Sequence, residues 1–161
     1  MRLLLRSNSH RDVDDGCLEL AASPDTPRRE LWQWDLRLLP ADRPQTNNPK
    51  PVRRVSAGLT RGDGSVSRLE VCADPTAALP SIEVLQLDGL QRIGRGTQEV
   101  VAVVVGRGLT LAEGRHRLGE LDVMILEGDD PYDLSLEPQD GAAASVAVVR
   151  LEGVGAIGWV P

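Results

Sequence analysis

The chain has 161 residues, a formal net charge of −6 and two cysteines. This length is enough for one domain with a hydrophobic core. The negative charge argues against nucleic-acid binding, and no stretch approaches the ~20 apolar residues that a membrane span requires. The apolar run near Met1 is three residues long, against roughly 7–15 in a secretory signal. We therefore expect a cytoplasmic protein with unpaired cysteines.

The charge is unevenly distributed between the two halves. Residues 1–68 carry 12 basic and 9 acidic side chains, whereas residues 69–161 carry 6 basic and 15 acidic side chains. Two interpretations remain open. Either the halves pair with each other or are solvated separately, or the basic first half meets an anionic ligand or partner.

The first half, residues 1–80, is loosely patterned but contains recognisable strands. Cys17 to Ala21 predicts one strand, and the clearest strand covers Leu31 to Leu39. In that segment Trp32 and Trp34 share one parity with two leucines, while polar residues hold the other parity. This alternation is typical of a half-buried strand with both tryptophans on its apolar face.

A hairpin is predicted next in the chain. Val52 to Leu59 and Ser65 to Cys72 flank a turn at 60–64 whose glycines can supply the positive φ that such turns need. The preceding Pro40–Pro51 segment is predicted as a loop, which is either a mobile surface excursion or a lid or partner-binding loop.

The second half, residues 81–161, shows short apolar strands separated by Gly, Asp and Pro turns. The predicted strands are Ile82–Leu87, Gln98–Val105, Leu109–Leu111, Leu121–Leu126, Tyr132–Glu137, Ser145–Leu151 and Val154–Val160. Their spacing of roughly 8–12 residues indicates a sandwich or barrel. Val100 to Val105 is apolar on both faces, so we expect the core to cover one face and a second subunit to be able to cover the other.

This pattern resembles the cupin superfamily. The resemblance is carried by Val100–Gly106, by the segment from Leu118 through Gly128 to Pro131, and by Val146–Leu151. It implies an antiparallel jelly-roll, here one all-β domain over 1–161 and possibly two fused cupin-like halves. It also implies a ligand site at the mouth of the barrel.

The first half is similar to one branch, the HutD/Ves-like double cupins. The residues concerned are the Trp32–Leu38 strand, the Pro40–Pro51 loop and the pair Arg53 and Arg54. The Trp-Lys-Asn-Gly opening of that branch is missing near Asp14-Asp15-Gly16.

Cupin enzymes usually hold a metal with histidines and a glutamate, and this chain departs from that pattern. Its histidines are His10 and His116, and they lack the required spacing. Where cupins often place Pro-x-Gly-x-x-His, the chain reads Asp130-Pro131-Tyr132-Asp133. We therefore expect no metal and no other cofactor.

Six residues are candidate ligand contacts: Trp32, Trp34, Arg37, Arg53, His116 and Tyr132. The indoles belong either to the packed core or to a pocket wall. The two arginines could anchor a carboxylate or phosphate. His116 could instead be a surface imidazole between two arginines.

Three functions stay open at this point. The first is a metal-free protein that binds a small, anionic metabolite in the barrel. The second is a metal-independent epimerase or isomerase that pairs His116 with Tyr132 or Asp133. The third is a homodimeric interaction module that uses sheet edges or the proline-rich loop. Fold resemblance alone does not choose among them.

Overall fold

The computed structural model describes residues 3–13, 16–23, 33–40, 42, 51–112, 115–128, 130, 133–139 and 143–153. The helical content of these residues is limited to 3-10 conformation at Ser7–Ser9, Gly16 and Gln139, and almost everything else is β-strand or turn. The all-β fold class predicted from the sequence is therefore confirmed. The predicted last strand, Val154–Val160, lies outside the described residues.

Fourteen strands lie in the described part of the chain. They are β1 (Leu3–Leu5), β2 (Arg11–Val13), β3 (Cys17–Ala22), β4 (Trp34–Leu39), β5 (Arg53–Thr60), β6 (Val66–Ala73), β7 (Ala78–Leu87), β8 (Gln91–Gly94), β9 (Glu99–Val105), β10 (Leu109–Leu111), β11 (His116–Leu118), β12 (Val123–Leu126), β13 (Asp133–Pro138) and β14 (Ala144–Gly153). The predicted hairpin is β5–β6. β2 and β8 were not predicted, since each offers one apolar residue and no alternation.

The strands form three sheets in which all pairings are antiparallel. The central sheet has the order β1-β12-β9-β14-β7, the N-terminal sheet β2-β3-β4-β6-β5 and the C-terminal sheet β11-β10-β13-β8. The first strand of the chain pairs with β12, with Leu4 opposite Met124. The two halves of the sequence are thus joined within one sheet.

The central sheet is covered on both faces, which explains its sequence. Along β9, Val100, Ala102 and Val104 pack into a core shared with the N-terminal sheet. The alternate residues Val101, Val103 and Val105 pack into a core shared with the C-terminal sheet. The prediction of double coverage is correct. The expectation that a second subunit covers one face of this strand is wrong, because the chain's own sheets cover both.

The two cores are apolar throughout. Leu69 and Val71 of β6 are fully buried in the first core, where each such side chain contributes about 1.5–3 kcal/mol. Only aliphatic side chains and Met124 form the second core among the described residues. The interior between the central and C-terminal sheets is therefore lined by apolar side chains.

Two turns bring the N-terminal sheet and the rest of the molecule into close contact. A Cβ atom at Gly106, at the end of β9, would lie 2.4 Å from the carbonyl oxygen of Thr60. Next to it, Arg61 of the β5–β6 turn pairs with Glu120. Position 106 therefore requires glycine for steric reasons.

Candidate functional site

Strand β4 separates an apolar face from a polar face. Trp34, Leu36 and Leu38 point into the first core, and Trp34 is 3% exposed. Asp35 and Arg37 occupy the opposite parity and therefore lie on the face of the N-terminal sheet turned away from the central sheet. Of the two interpretations of Trp34, its position in the packed core is the one observed.

The strand register brings further polar residues alongside this pair. Cys72 of β6 lies opposite both Asp35 and Arg54 of β5, so these three side chains form one row. In the next row, Glu70 lies opposite Arg37. We call this surface the polar face.

The polar face is buried to an unusual degree for its composition. Asp35 is 7% exposed, Glu70 is 6% exposed and Cys72 is 9% exposed. Carboxylates are rarely buried unless they are paired, because removing their charge from water is costly. Both carboxylates have an arginine partner here. The guanidinium of Arg54 lies 3.6 Å from Glu70, and that of Arg37 lies 3.3 Å from Asp35.

Cys72 is bound between two of these groups. Its thiol donates to Oε1 of Glu70 at a distance of 3.7 Å, and Arg54 is hydrogen-bonded to its sulfur. Burial and the nearby carboxylates of Asp35 and Glu70 raise the pKa of the thiol to about 11, although the Arg54 hydrogen bond opposes the shift. The thiol is therefore protonated at neutral pH and is not an activated nucleophile.

The same contacts hold Arg54 in its cationic form. Burial alone lowers the pKa of this guanidinium, but the hydrogen bond with Cys72 and the charge of Glu70 outweigh it and raise the pKa. Arg54 is thus a fixed positive charge, nearly enclosed, with a side chain 19% exposed.

Arg37 is more open than Arg54. Its side chain is 35% exposed, and Asp35 holds one edge of the guanidinium. The Nε–H is buried and has no hydrogen-bond partner among the described residues. The exposed part of the guanidinium can donate charge-assisted hydrogen bonds to an anion such as a carboxylate.

The remaining predicted contacts do not join this cluster. Arg53 is exposed at the start of β5, opposite Ala73 and therefore on the other side of the N-terminal sheet. His116 is exposed on the edge strand β11. Trp32 and Tyr132 lie outside the described residues.

The proposed catalytic pairing of His116 with Asp133 is not formed in this structure. β10 lies between β11 and β13, which carries Asp133. The carboxylate of Asp133 is paired instead with Arg92 of β8. Tyr132, the alternative partner, falls outside the described part of the chain.

Sequence reasoning identified Arg37 but missed Asp35, Arg54, Glu70 and Cys72 as members of a site. The signal was present in β6, where polar Arg68, Glu70 and Cys72 alternate with apolar residues. The alternation shows that these side chains share a face. It does not show which strands lie beside them.

Within the residues that the structure describes, no three His, Cys, Asp or Glu side chains are grouped closely enough to hold a metal ion. No helix found in that part of the chain has the length and apolar character needed to cross a membrane.

Comparisons with known proteins identify the fold. No protein-family model matches the chain, and no curated protein matches it significantly. Among solved structures, PA5104, a conserved protein of unknown function from Pseudomonas aeruginosa PAO1, is 14% identical with a TM-score of 0.71, covering 94% of this chain and 99% of its own. HutD from Pseudomonas fluorescens SBW25, determined in a formate condition, is 15% identical with a TM-score of 0.64, covering 96% and 100%. The predicted HutD-like fold is confirmed.

Proposed function

We propose that the protein binds a small metabolite with a single carboxylate on the polar face of the N-terminal sheet. The observation that carries this proposal is the state of Arg37. Its guanidinium forms an ion pair with the buried Asp35, and its side chain is one-third exposed. Its buried Nε–H donates no hydrogen bond to any described residue. A charge-assisted bond from such a donor to a carboxylate is about twice as strong as a neutral hydrogen bond.

The charge balance of the polar face favours a monoanion. Its charged residues, as the strand register groups them, are Arg11, Glu19, Asp35, Arg37, Arg54, Arg68 and Glu70. Four are cationic and three are anionic, so the described part of this face carries one net positive charge. One bound carboxylate neutralises it, which lowers the electrostatic cost of burying the array.

The two arginines have different roles in this proposal. Arg54 is enclosed by Glu70 and Cys72 and provides a fixed positive field. Arg37 is the group that contacts the ligand, because it alone of the two has an exposed edge and a donor to offer. The polar face thus offers charge and hydrogen-bond donors for recognition, while its thiol keeps its proton.

The location differs from the one that the cupin resemblance implied. The second core consists of aliphatic side chains and Met124 among the described residues, and these offer no hydrogen-bond donor to a carboxylate. The polar face supplies such a donor in the partly exposed guanidinium of Arg37.

The proposal is tested by isothermal titration with straight-chain carboxylates from acetate to hexanoate. Wild-type protein is expected to bind hexanoate but not the uncharged hexanol. Arg37→Ala should weaken hexanoate binding by about ten- to a hundredfold, the value of a charge-assisted hydrogen bond. The matched control is Arg92→Ala, which removes an exposed arginine that pairs with Asp133 on the C-terminal sheet. Equal hexanoate affinity of wild type and Arg37→Ala would refute the proposal, as would equal binding of hexanol.

A further inference from the structure

We infer that the ligand carries, besides its carboxylate, an uncharged hydrogen-bond donor that is recognised by Gln33. This inference rests on the proposed function, because it takes Arg37 as the contact for the carboxylate. It adds the chemical class of the ligand: a monocarboxylate with a hydroxyl or amide N–H at its far end.

Gln33 continues the ladder of β4 by one residue. Its backbone carbonyl accepts the N–H of Asp74 at 2.8 Å, next to the Trp34–Ala73 pair. Its backbone N–H donates to the hydroxyl of Ser23 at 3.0 Å. The main chain at Gln33 is therefore fixed in the sheet, and its side chain has the same parity as those of Asp35 and Arg37.

The side-chain oxygen of Gln33 accepts no hydrogen bond within the described structure. Oε1 is buried and has no hydrogen-bond partner among the described residues. Buried polar atoms are nearly always bonded, so each exception calls for an explanation. The polar face holds two such atoms on one strand, an acceptor at Gln33 and a donor at Arg37.

These two atoms define the ends of a ligand. A carboxylate oxygen complements the Nε–H of Arg37, and an N–H or O–H complements Oε1 of Gln33. The two residues are four positions apart, so their Cα atoms are about 13 Å apart along the strand. Several bonds must therefore separate the two polar groups of the ligand.

The net charge of the polar face determines whether the hydrogen-bond donor of the ligand should be cationic or uncharged. A single carboxylate balances the net positive charge of the described part, so a second, cationic group such as ammonium would restore the imbalance. We therefore expect the donor to be uncharged.

The experiment compares probes that differ only at the far end. Hexanoate has no donor, ω-hydroxyhexanoate has one, ω-methoxyhexanoate can only accept, and ω-aminohexanoate carries a cationic donor. Wild-type protein should bind ω-hydroxyhexanoate about tenfold more tightly than hexanoate, since the bond satisfies a buried acceptor. The methoxy and amino probes should show no such gain.

Two variants test the role of Gln33. Gln33→Leu should remove the preference for the hydroxyl while hexanoate affinity stays at the wild-type level. Gln33→Glu keeps an acceptor at the position, so the preference should survive although the added negative charge weakens all carboxylates.

The outcomes separate the two proposals. Arg37-dependent binding of hexanoate without any gain from the hydroxyl would overturn this inference and leave the proposed function intact. A hydroxyl preference that Gln33→Leu retains, or tighter binding of the methoxy probe, would also overturn it. Failure of every carboxylate to bind would refute both proposals.

Discussion

Arg6 donates from Nη1 to the buried carboxylate of Asp122 at a distance of 2.7 Å, although the two residues are 116 positions apart. The same carboxylate accepts the backbone N–H groups of Ser7 and Gly119, at 2.9 and 2.8 Å. Asp122 is 3% exposed. It therefore holds the segment after β1 against the turn before β12 and keeps the first strand in the central sheet.

Replacing Asp122 should destabilise the protein strongly. Asp122→Ala leaves the backbone N–H groups of Ser7 and Gly119 and the Arg6 guanidinium without their shared acceptor, and we expect a loss of about 2–4 kcal/mol. Arg6→Ala is the control, since this side chain is half exposed and the expected loss is below about 1 kcal/mol. Urea denaturation measures both changes. Equal losses would contradict the assigned role of Asp122.

Cys72 should make the stability depend on pH in the alkaline range. Its pKa rises from 9.0 to about 11 in the folded state, chiefly because of burial. A raised thiol pKa means that the folded protein keeps a proton that the unfolded chain loses. The resulting stabilisation is present below pH 9 and is lost between about pH 9 and 11.

Cys72→Ala isolates this effect from the other groups that titrate at alkaline pH. Between pH 8.5 and 10.5 the wild type should lose about 1–2 kcal/mol more of its free energy of unfolding than the variant does. Denaturant unfolding at the two pH values measures the difference. Parallel losses in both proteins would show that the thiol of Cys72 is not shifted.

Gly106 should tolerate no side chain. A Cβ there would lie 2.4 Å from the Thr60 carbonyl and 2.8 Å from a side-chain carbon of Leu59, which is fully buried. Gly106→Ala must push the end of β5 away from β9 of the central sheet, and we expect a loss of at least about 2 kcal/mol. Gly89→Ala serves as the control because no atom lies within 4 Å of its Cβ position. Thermal unfolding that ranks the two variants equally would refute this account of the turn.

Much of the fold could be predicted from the sequence because its signals are local. Alternation in β4 and uninterrupted apolar character in β9 are visible without a structure. What covers the second face of β9 could not be predicted, because Val101 and Val103 show that they are buried but not which sheet buries them. The C-terminal sheet covers these two valines, and the N-terminal sheet, which is distant in sequence, covers the opposite face of β9.

The candidate site was only partly predictable for the same reason. Arg37 stood out as a lone arginine on a half-buried strand. Its neighbour Glu70 comes from another strand, and only the register between β4 and β6 places the two opposite each other. The Nε–H donor of Arg37 and the Oε1 acceptor of Gln33 are both buried and have no hydrogen-bond partner among the described residues. A sequence pattern does not reveal which polar atoms the fold leaves in this state.

The central claim is that a carboxylate meets Arg37 on the polar face, and side-chain NMR tests it most directly. Arginine Nε–H resonances can be assigned by substitution, with Arg37→Lys identifying the relevant signal. On titration with hexanoate, the Arg37 resonance should shift with saturation, while those of Arg92 and the buried Arg95 stay in place. Methyl shifts of Val103 and Leu134 in the second core, with an unchanged Arg37 signal, would contradict the claim and place the ligand in the barrel.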